Sequence, residues 1–150
     1  MRPRIISTRL SSACSVVACT SVSSKSSTTT NLLCFNSGIA YAGGGRAIIR
    51  VDVSADGGRT WTAAELGDGA DQPLSKAWAW TLWTADVPLP PPKEGGGPNV
   101  DAELVCRAVD ASFNMQPASV ADTWNLRGLA NNAWHRVAVT VPPASDDDDA

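Results

Sequence analysis

The side chains able to do chemistry in this chain are few and poorly grouped. Cys14, Cys19, Cys34 and Cys106 form no Cys-x-x-Cys pair, and the only histidine, His135, has no companion at zinc-ligand spacing. The expectation is that this chain alone holds no metal and supplies no catalytic residue. Cys106, within Leu104-Val105-Cys106, reads as a buried, inert thiol. Serine chemistry fails on the same grounds, because His135 sits on an apolar parity and no Gly-x-Ser-x-Gly elbow accompanies it. Gly43-Gly44-Gly45 precedes Arg46 but lacks the Gly-Lys-Ser/Thr that a phosphate cradle requires, so a turn or bulge is expected there.

The segment Ser54-Ala55-Asp56-Gly57-Gly58-Arg59-Thr60-Trp61 fits the spacing Ser-x-Asp-x-Gly-x-Thr-Trp, which is similar to the Asp-box hairpin of sialidases. There the Asp and Ser side chains bond to nearby backbone and hold a turn, so the expected role is structural. Glycosidase chemistry would need a placed pair of acids or an acid with a tyrosine nucleophile.

These groups must be positioned by short strands. With hydrophobic residues at 43% and charged residues at 18%, 150 residues suit one ordinary domain. The net charge of −3 owes much to Asp146–Asp149, a terminal run expected to be solvated. The basic residues are scattered, which argues against a nucleic-acid partner. No apolar run approaches the ~20 residues that cross a bilayer, so no membrane partner is expected. In Ile49-Arg50-Val51-Asp52-Val53-Ser54 apolar and polar residues alternate, as a half-buried strand requires. Asp56-Gly57-Gly58 turns the chain, and Arg59 to Leu66 should return antiparallel. Trp78–Val87, Asp101–Asp110 and Trp134–Val141 read as further strands, and Pro88–Pro98 as a long exposed loop. The result is an all-β, two-sheet sandwich.

Residues 1–36 differ: they hold Arg2, Arg4, Arg9 and Lys25, dense Ser and Thr, and no acidic residue. Two readings stay open. One is a transit peptide, which would direct the chain to the mitochondrial intermembrane space. The other is an incorrect first exon, leaving a soluble intracellular protein. Either way 1–36 is expected to be unordered, 37–142 to be the domain, and 143–150 an acidic tail.

Six tryptophans in one small domain should mostly serve the core. Trp134, however, opposes the parity of His135, Val137, Val139 and Val141, and both faces of Trp78–Trp83 are apolar. Trp134 and Trp83 are therefore expected at an interface, since large aromatics are enriched there.

Several ordered motifs together resemble the molybdenum-cofactor oxidoreductase dimerisation domain. They are Ala40-Tyr41-Ala42-Gly43-Gly44-Gly45-Arg46, the Asp56-Gly57-Gly58 hairpin with Trp61, Ala77-Trp78-Ala79-Trp80-Thr81-Leu82-Trp83, Arg107-Ala108-Val109-Asp110 with Asn114-Met115-Gln116-Pro117, and Trp124-Asn125-Leu126-Arg127-Gly128 running to Asn132-Ala133-Trp134-His135-Arg136-Val137. The resemblance covers about residues 38–141. It implies an immunoglobulin-like sandwich of the E-set type that follows a cofactor domain and joins two subunits as a homodimer. It also implies a parent enzyme with a molybdenum–molybdopterin centre, whose metal ligand lies in that upstream domain.

Within this family Arg127 is the substrate-binding expectation. Sulfite-oxidising members carry an arginine there beside the oxyanion, and nitrate reductases typically carry methionine, so the resemblance implies sulfite as the parent's substrate. A guanidinium with several fixed donors suits a compact anion. The rival reading pairs Arg127 with a carboxylate such as Asp122, or leaves it in solvent. Two rival functions also stand: a nitrate reductase dimerisation domain, and a free-standing sandwich used for binding or assembly. The cofactor domain is missing from this chain, which is expected to be inactive alone. The family sandwich begins with a strand before Gly38-Ile39-Ala40-Tyr41, and residues 1–36 do not look like it, which leaves open a vacant sheet edge.

Overall fold

The computed structural model describes residues 16–25, 33–90 and 100–141. Eight strands lie in two antiparallel sheets. Strands β1 (Val16–Lys25), β2 (Leu33–Tyr41), β5 (Glu65–Leu66) and β6 (Thr81–Pro88) form one, in the order β1-β2-β6-β5. Strands β3 (Ile48–Ser54), β4 (Thr62–Ala63), β7 (Val100–Asp110) and β8 (His135–Val141) form the other, in the order β4-β3-β7-β8. The only helical piece among the described residues is a single 3-10 turn, Val120–Thr123.

The core lies between the sheets and follows from period-two patterning. On β2 every second residue is buried, and on β6 Thr81, Trp83, Ala85 and Val87 point inward while Leu82, Thr84 and Asp86 point out. Val51 and Val53 of β3, with Leu104, Cys106 and Ala108 of β7, close the core from the other sheet. On β8, Val137 and Val139 pack against this cluster, the parity read from the sequence.

Four expectations change. First, residues 1–36 are not wholly outside the fold: Val16–Lys25 pairs along β2 and occupies the edge expected to be vacant. Its Val-rich start, Val16-Val17, suits a pleated strand more than Ser/Thr density suggests. Second, Trp83 is 1% exposed and sits in the inter-sheet core, so it is not an interface residue. The strand begins at Thr81 and not at Trp78, and Trp78 and Trp80 stand exposed in the segment leading into it. Third, the strand returning from the Asp56 turn is split. Thr62–Ala63 pairs with β3, then Glu65–Leu66 pairs with β6, so the chain changes sheets at Ala64. Fourth, a register shift between Ile48 and Arg50 places Ile48 inside and Ile49 outside, as one extra residue in a bulge does. The expectations for 1–15, for 91–99 of the Pro/Gly loop and for the acidic tail lie outside the described residues.

Candidate functional site: an arginine-tipped loop

Antiparallel pairing gathers three connections at one end of the sandwich. Ala40 lies opposite Thr81 and Ile48 opposite Asp110, so segments 42–47, 67–80 and 111–134 leave the sheets on the same side. Arg46 Nε donates to Asp110 Oδ2 at 2.7 Å, Ala111 N to Ala47 O at 2.8 Å, and Ala77 N to Gly45 O at 3.0 Å. Gly45 has φ +70°, and a Cβ there would meet Ser75 O at 2.4 Å, so glycine is required by both conformation and space.

Asp110 organises the first turn of the long loop. Its Oδ1 accepts from Ser112 N at 2.8 Å and Asn114 N at 3.0 Å, and Asn114 Nδ2 donates to Oδ2 at 2.9 Å. Burial opposes ionisation, yet the bonds from Asn114, Arg46 and Ser112 outweigh it and hold this carboxyl below the usual carboxylate range. Phe113 is carried on this turn at φ 61° with its ring in solvent, an uncommon conformation for a bulky residue.

The loop is then closed at a neck. Buried Gln116 accepts from Ala108 N at 2.9 Å and donates to Asn132 O at 3.0 Å. Trp134 N donates to Pro117 O at 2.9 Å, and Trp134 Nε1 to Gln116 O at 3.0 Å. Trp134, expected at an interface, is half-buried, and its cover comes from its own chain: Trp61 meets it edge-on with ring centroids 5.1 Å apart. The Arg107 guanidinium lies 4.0 Å over Trp61 and 5.4 Å from Trp134. It is held there by buried Asp52, whose other oxygen accepts from Arg50 at 2.6 Å.

Beyond the neck the loop reaches Asn125. Its side chain accepts from Leu129 N at 3.0 Å and donates to the carbonyl oxygens of Leu129 and Thr123, and its own carbonyl accepts from Gly128 N. Gly128, at φ +63°, completes a tight turn. Arg127 stands exposed at its tip and makes no ion pair with Asp122 or any other described residue. Beside it in the chain Leu126 (91%), Trp124 (71%) and Leu129 are exposed, and earlier in the same loop Phe113 and Met115 are also in solvent. Sequence reasoning singled out Arg127 but missed Asn125 and Gln116. Asn125 lies within the quoted Trp-Asn-Leu-Arg-Gly motif, and Asn two to four residues before a Gly is a turn signal that could have marked it.

The Asp56 hairpin forms as expected at the other end of β3. Asp56 Oδ1 accepts from Arg59 N at 2.8 Å and Thr60 N at 2.9 Å, Oδ2 accepts from Thr60 Oγ1 at 2.7 Å, and Ser54 Oγ donates to Oδ1 at 2.7 Å. Burial acts against ionisation, but these bonds dominate and place the carboxyl far below its ordinary range. The Asp56 carboxylate is satisfied inside its own turn, the structural role expected of it.

The described residues do not fit a molybdenum centre. Cys34 and Cys106 are 0% and 2% exposed in the core, and no three His, Cys, Asp or Glu side chains among the described residues could hold a metal ion. No helix among them is long and apolar enough to cross a membrane.

The described residues thus form a two-sheet sandwich whose long loop is closed at its neck and carries Arg127 at its tip. Residues 8–142 match the Mo-co oxidoreductase dimerisation domain, and the chain belongs to that family. It is 53% identical over 106 residues to the mitochondrial sulfite oxidase of Homo sapiens, covering 71% of this chain and 18% of that protein. It is 39% identical over 110 residues to a nitrate reductase of Brassica napus, covering 69% and 11% respectively. The sulfane dehydrogenase SoxCD of Paracoccus pantotrophus shares the fold with a TM-score of 0.52 and 30% identity, over 75% of this chain and 28% of that one. The chain thus spans less than a fifth of the sulfite oxidase it matches.

Proposed function

We propose that this domain joins two subunits of a sulfite-oxidising molybdenum enzyme and lends Arg127 to the anion pocket of the parent. The parent reaction on this reading is oxidation of sulfite to sulfate at a molybdenum–molybdopterin centre held outside the described residues. The observation that carries the reading is Arg127 itself: an exposed guanidinium with no ion pair among the described residues, on a turn held by Asn125 and flanked along the chain by exposed Trp124, Leu126 and Leu129. Such exposed apolar flanks suit docking against a cofactor domain of the same enzyme, where loss of water would strengthen each guanidinium–oxyanion bond. A planar guanidinium grips two oxygens at once, which a lysine ammonium cannot do. The higher identity to sulfite oxidase than to nitrate reductase, 53% against 39%, favours sulfite over nitrate. The names of the mammalian relatives suggest a mitochondrial setting for the parent.

The test is Arg127→Met in a full-length sulfite oxidase carrying this domain. Losing one charged hydrogen-bonding partner costs ~1.5–3 kcal/mol, so kcat/KM for sulfite should fall at least roughly tenfold while molybdenum content and dimer stay intact. An unchanged kcat/KM would make Arg127 structural. Homodimerisation is checked by sedimentation, and a monomer alone at tens of micromolar would count against it.

A further inference from the structure

We propose that Asn125 is the positioning residue for Arg127, its amide fixing the backbone turn from which the Arg127 side chain departs before any anion arrives. The inference rests on the reading of Arg127 above. Leu126 and Arg127 make no side-chain hydrogen bond or ion pair among the described residues, so nothing at the tip steadies itself. The shape of the turn comes from the Asn125 amide. It bonds the Leu129 peptide in both directions, as donor to its carbonyl at 2.5 Å and as acceptor from its N–H at 3.0 Å, and its donor nitrogen also reaches Thr123 O at 3.2 Å. The backbone bond from Gly128 N to Asn125 O at 3.0 Å lies inside this ring.

Only a primary amide on a short stem does all of this. Aspartate keeps the acceptor but loses the donor, glutamine places the amide one methylene too far, and alanine loses both. The position is exposed, so no core holds the turn if the amide is removed. The neck bonds at Pro117 and Trp134 hold the ends of the loop and do not reach the tip. A turn held in one shape presents the stem of Arg127 from a fixed point, so less has to be ordered when an anion binds, and misplacement by about an ångström is enough to weaken such a contact severely.

The experiment has two arms. In the full chain, amide exchange at Gly128 and Leu129 should rise at least roughly tenfold in Asn125→Ala, and Asn125→Asp should fall between; unchanged exchange would overturn the clamp. In a full-length sulfite oxidase carrying this domain, Asn125→Ala should raise KM for sulfite ~tenfold, with kcat and molybdenum content changed less than about twofold. A structural defect would instead lower kcat and cofactor content. Combined with Arg127→Met, Asn125→Ala should add nothing further, because its effect runs through the arginine. Additive losses would overturn the positioning role, as would a normal KM in Asn125→Ala beside an impaired Arg127→Met. An inert Arg127→Met with a loosened turn would remove the function assigned to Arg127 and the role assigned to Asn125 together.

Discussion

The indole nitrogen of Trp134 donates to the carbonyl oxygen of Gln116 at 3.0 Å and so ties together two points eighteen residues apart. The bond closes the neck of the loop that carries Arg127. It also anchors that neck to the sheet, because the same indole meets Trp61 and the Arg107 guanidinium.

Replacing Trp134 by phenylalanine keeps a ring against Trp61 and deletes the neck bond. The expected loss is ~1 kcal/mol, the net value of one hydrogen bond. For a domain of this size that corresponds to a fall in Tm of roughly 3–6 °C. Trp134→Ala should cost more, about 3–5 kcal/mol, because the ring goes as well. Thermal unfolding of both variants checks the order, and equal losses would show that the neck bond contributes nothing.

Acid should unfold this domain through Asp56 and Asp110. Both carboxyls are held below the ordinary carboxylate range in the folded chain, so the unfolded chain binds more protons as pH falls through that range. Their contribution is complete above the ordinary carboxylate range and is lost progressively at and below it. Asp56→Asn should lower stability at neutral pH and flatten the acid limb of a stability–pH profile. A limb as steep as in the parent chain would place the acid sensitivity elsewhere.

His135 acts at higher pH and with the opposite charge. Burial lowers its pKa from 6.5, and its Nε2 is enclosed without a hydrogen-bond partner among the described residues. The unfolded chain therefore takes up a proton first, and stability present above pH 6.5 is lost as pH falls from there through the lowered folded value. In His135→Leu this step should vanish between pH 7 and the carboxylate region, as denaturant midpoints across that range would report.

Two glycines with positive φ should respond differently to alanine. At Gly128, φ +63°, nothing lies within 4 Å of an added Cβ, so the cost is conformational alone, about 1–2 kcal/mol. At Gly45, φ +70°, the same Cβ meets Ser75 O at 2.4 Å, and the loss should exceed that at Gly128. Urea denaturation compares them directly, and a Gly45→Ala no worse than Gly128→Ala would mean that segment 67–80 yields freely.

Strand parity carried most of the fold into view. The inward set of β8, the full length of β7 and the Asp56 turn all follow from alternation and turn chemistry visible in the residues. What stayed hidden depends on contacts distant in sequence. Trp83 could not be sorted from Trp78 and Trp80, since apolar residues stand on both parities and only pairing with β2 starts the strand at Thr81. Ala64 carries no mark that the chain leaves one sheet for the other there. Val16–Lys25 was obscured by Ser/Thr composition, because its place depends on β2 offering an open edge. At the candidate site, the motif marks Arg127, which stands exposed at the loop tip, whereas the cover over Trp134 was not legible, because Trp61 and Arg107 arrive from two other strand regions.

The Asn125 turn ends all its side-chain bonds on main-chain atoms of Thr123 and Leu129. None touches the side chain of residue 127, so that side chain has no duty in folding. Position 127 is therefore open to mutational drift, since a new residue there leaves the bonds of the surrounding scaffold in place. On the role proposed above for Arg127, one codon would then retune selectivity without any second, compensating change, which would make this turn a low-barrier point for divergence.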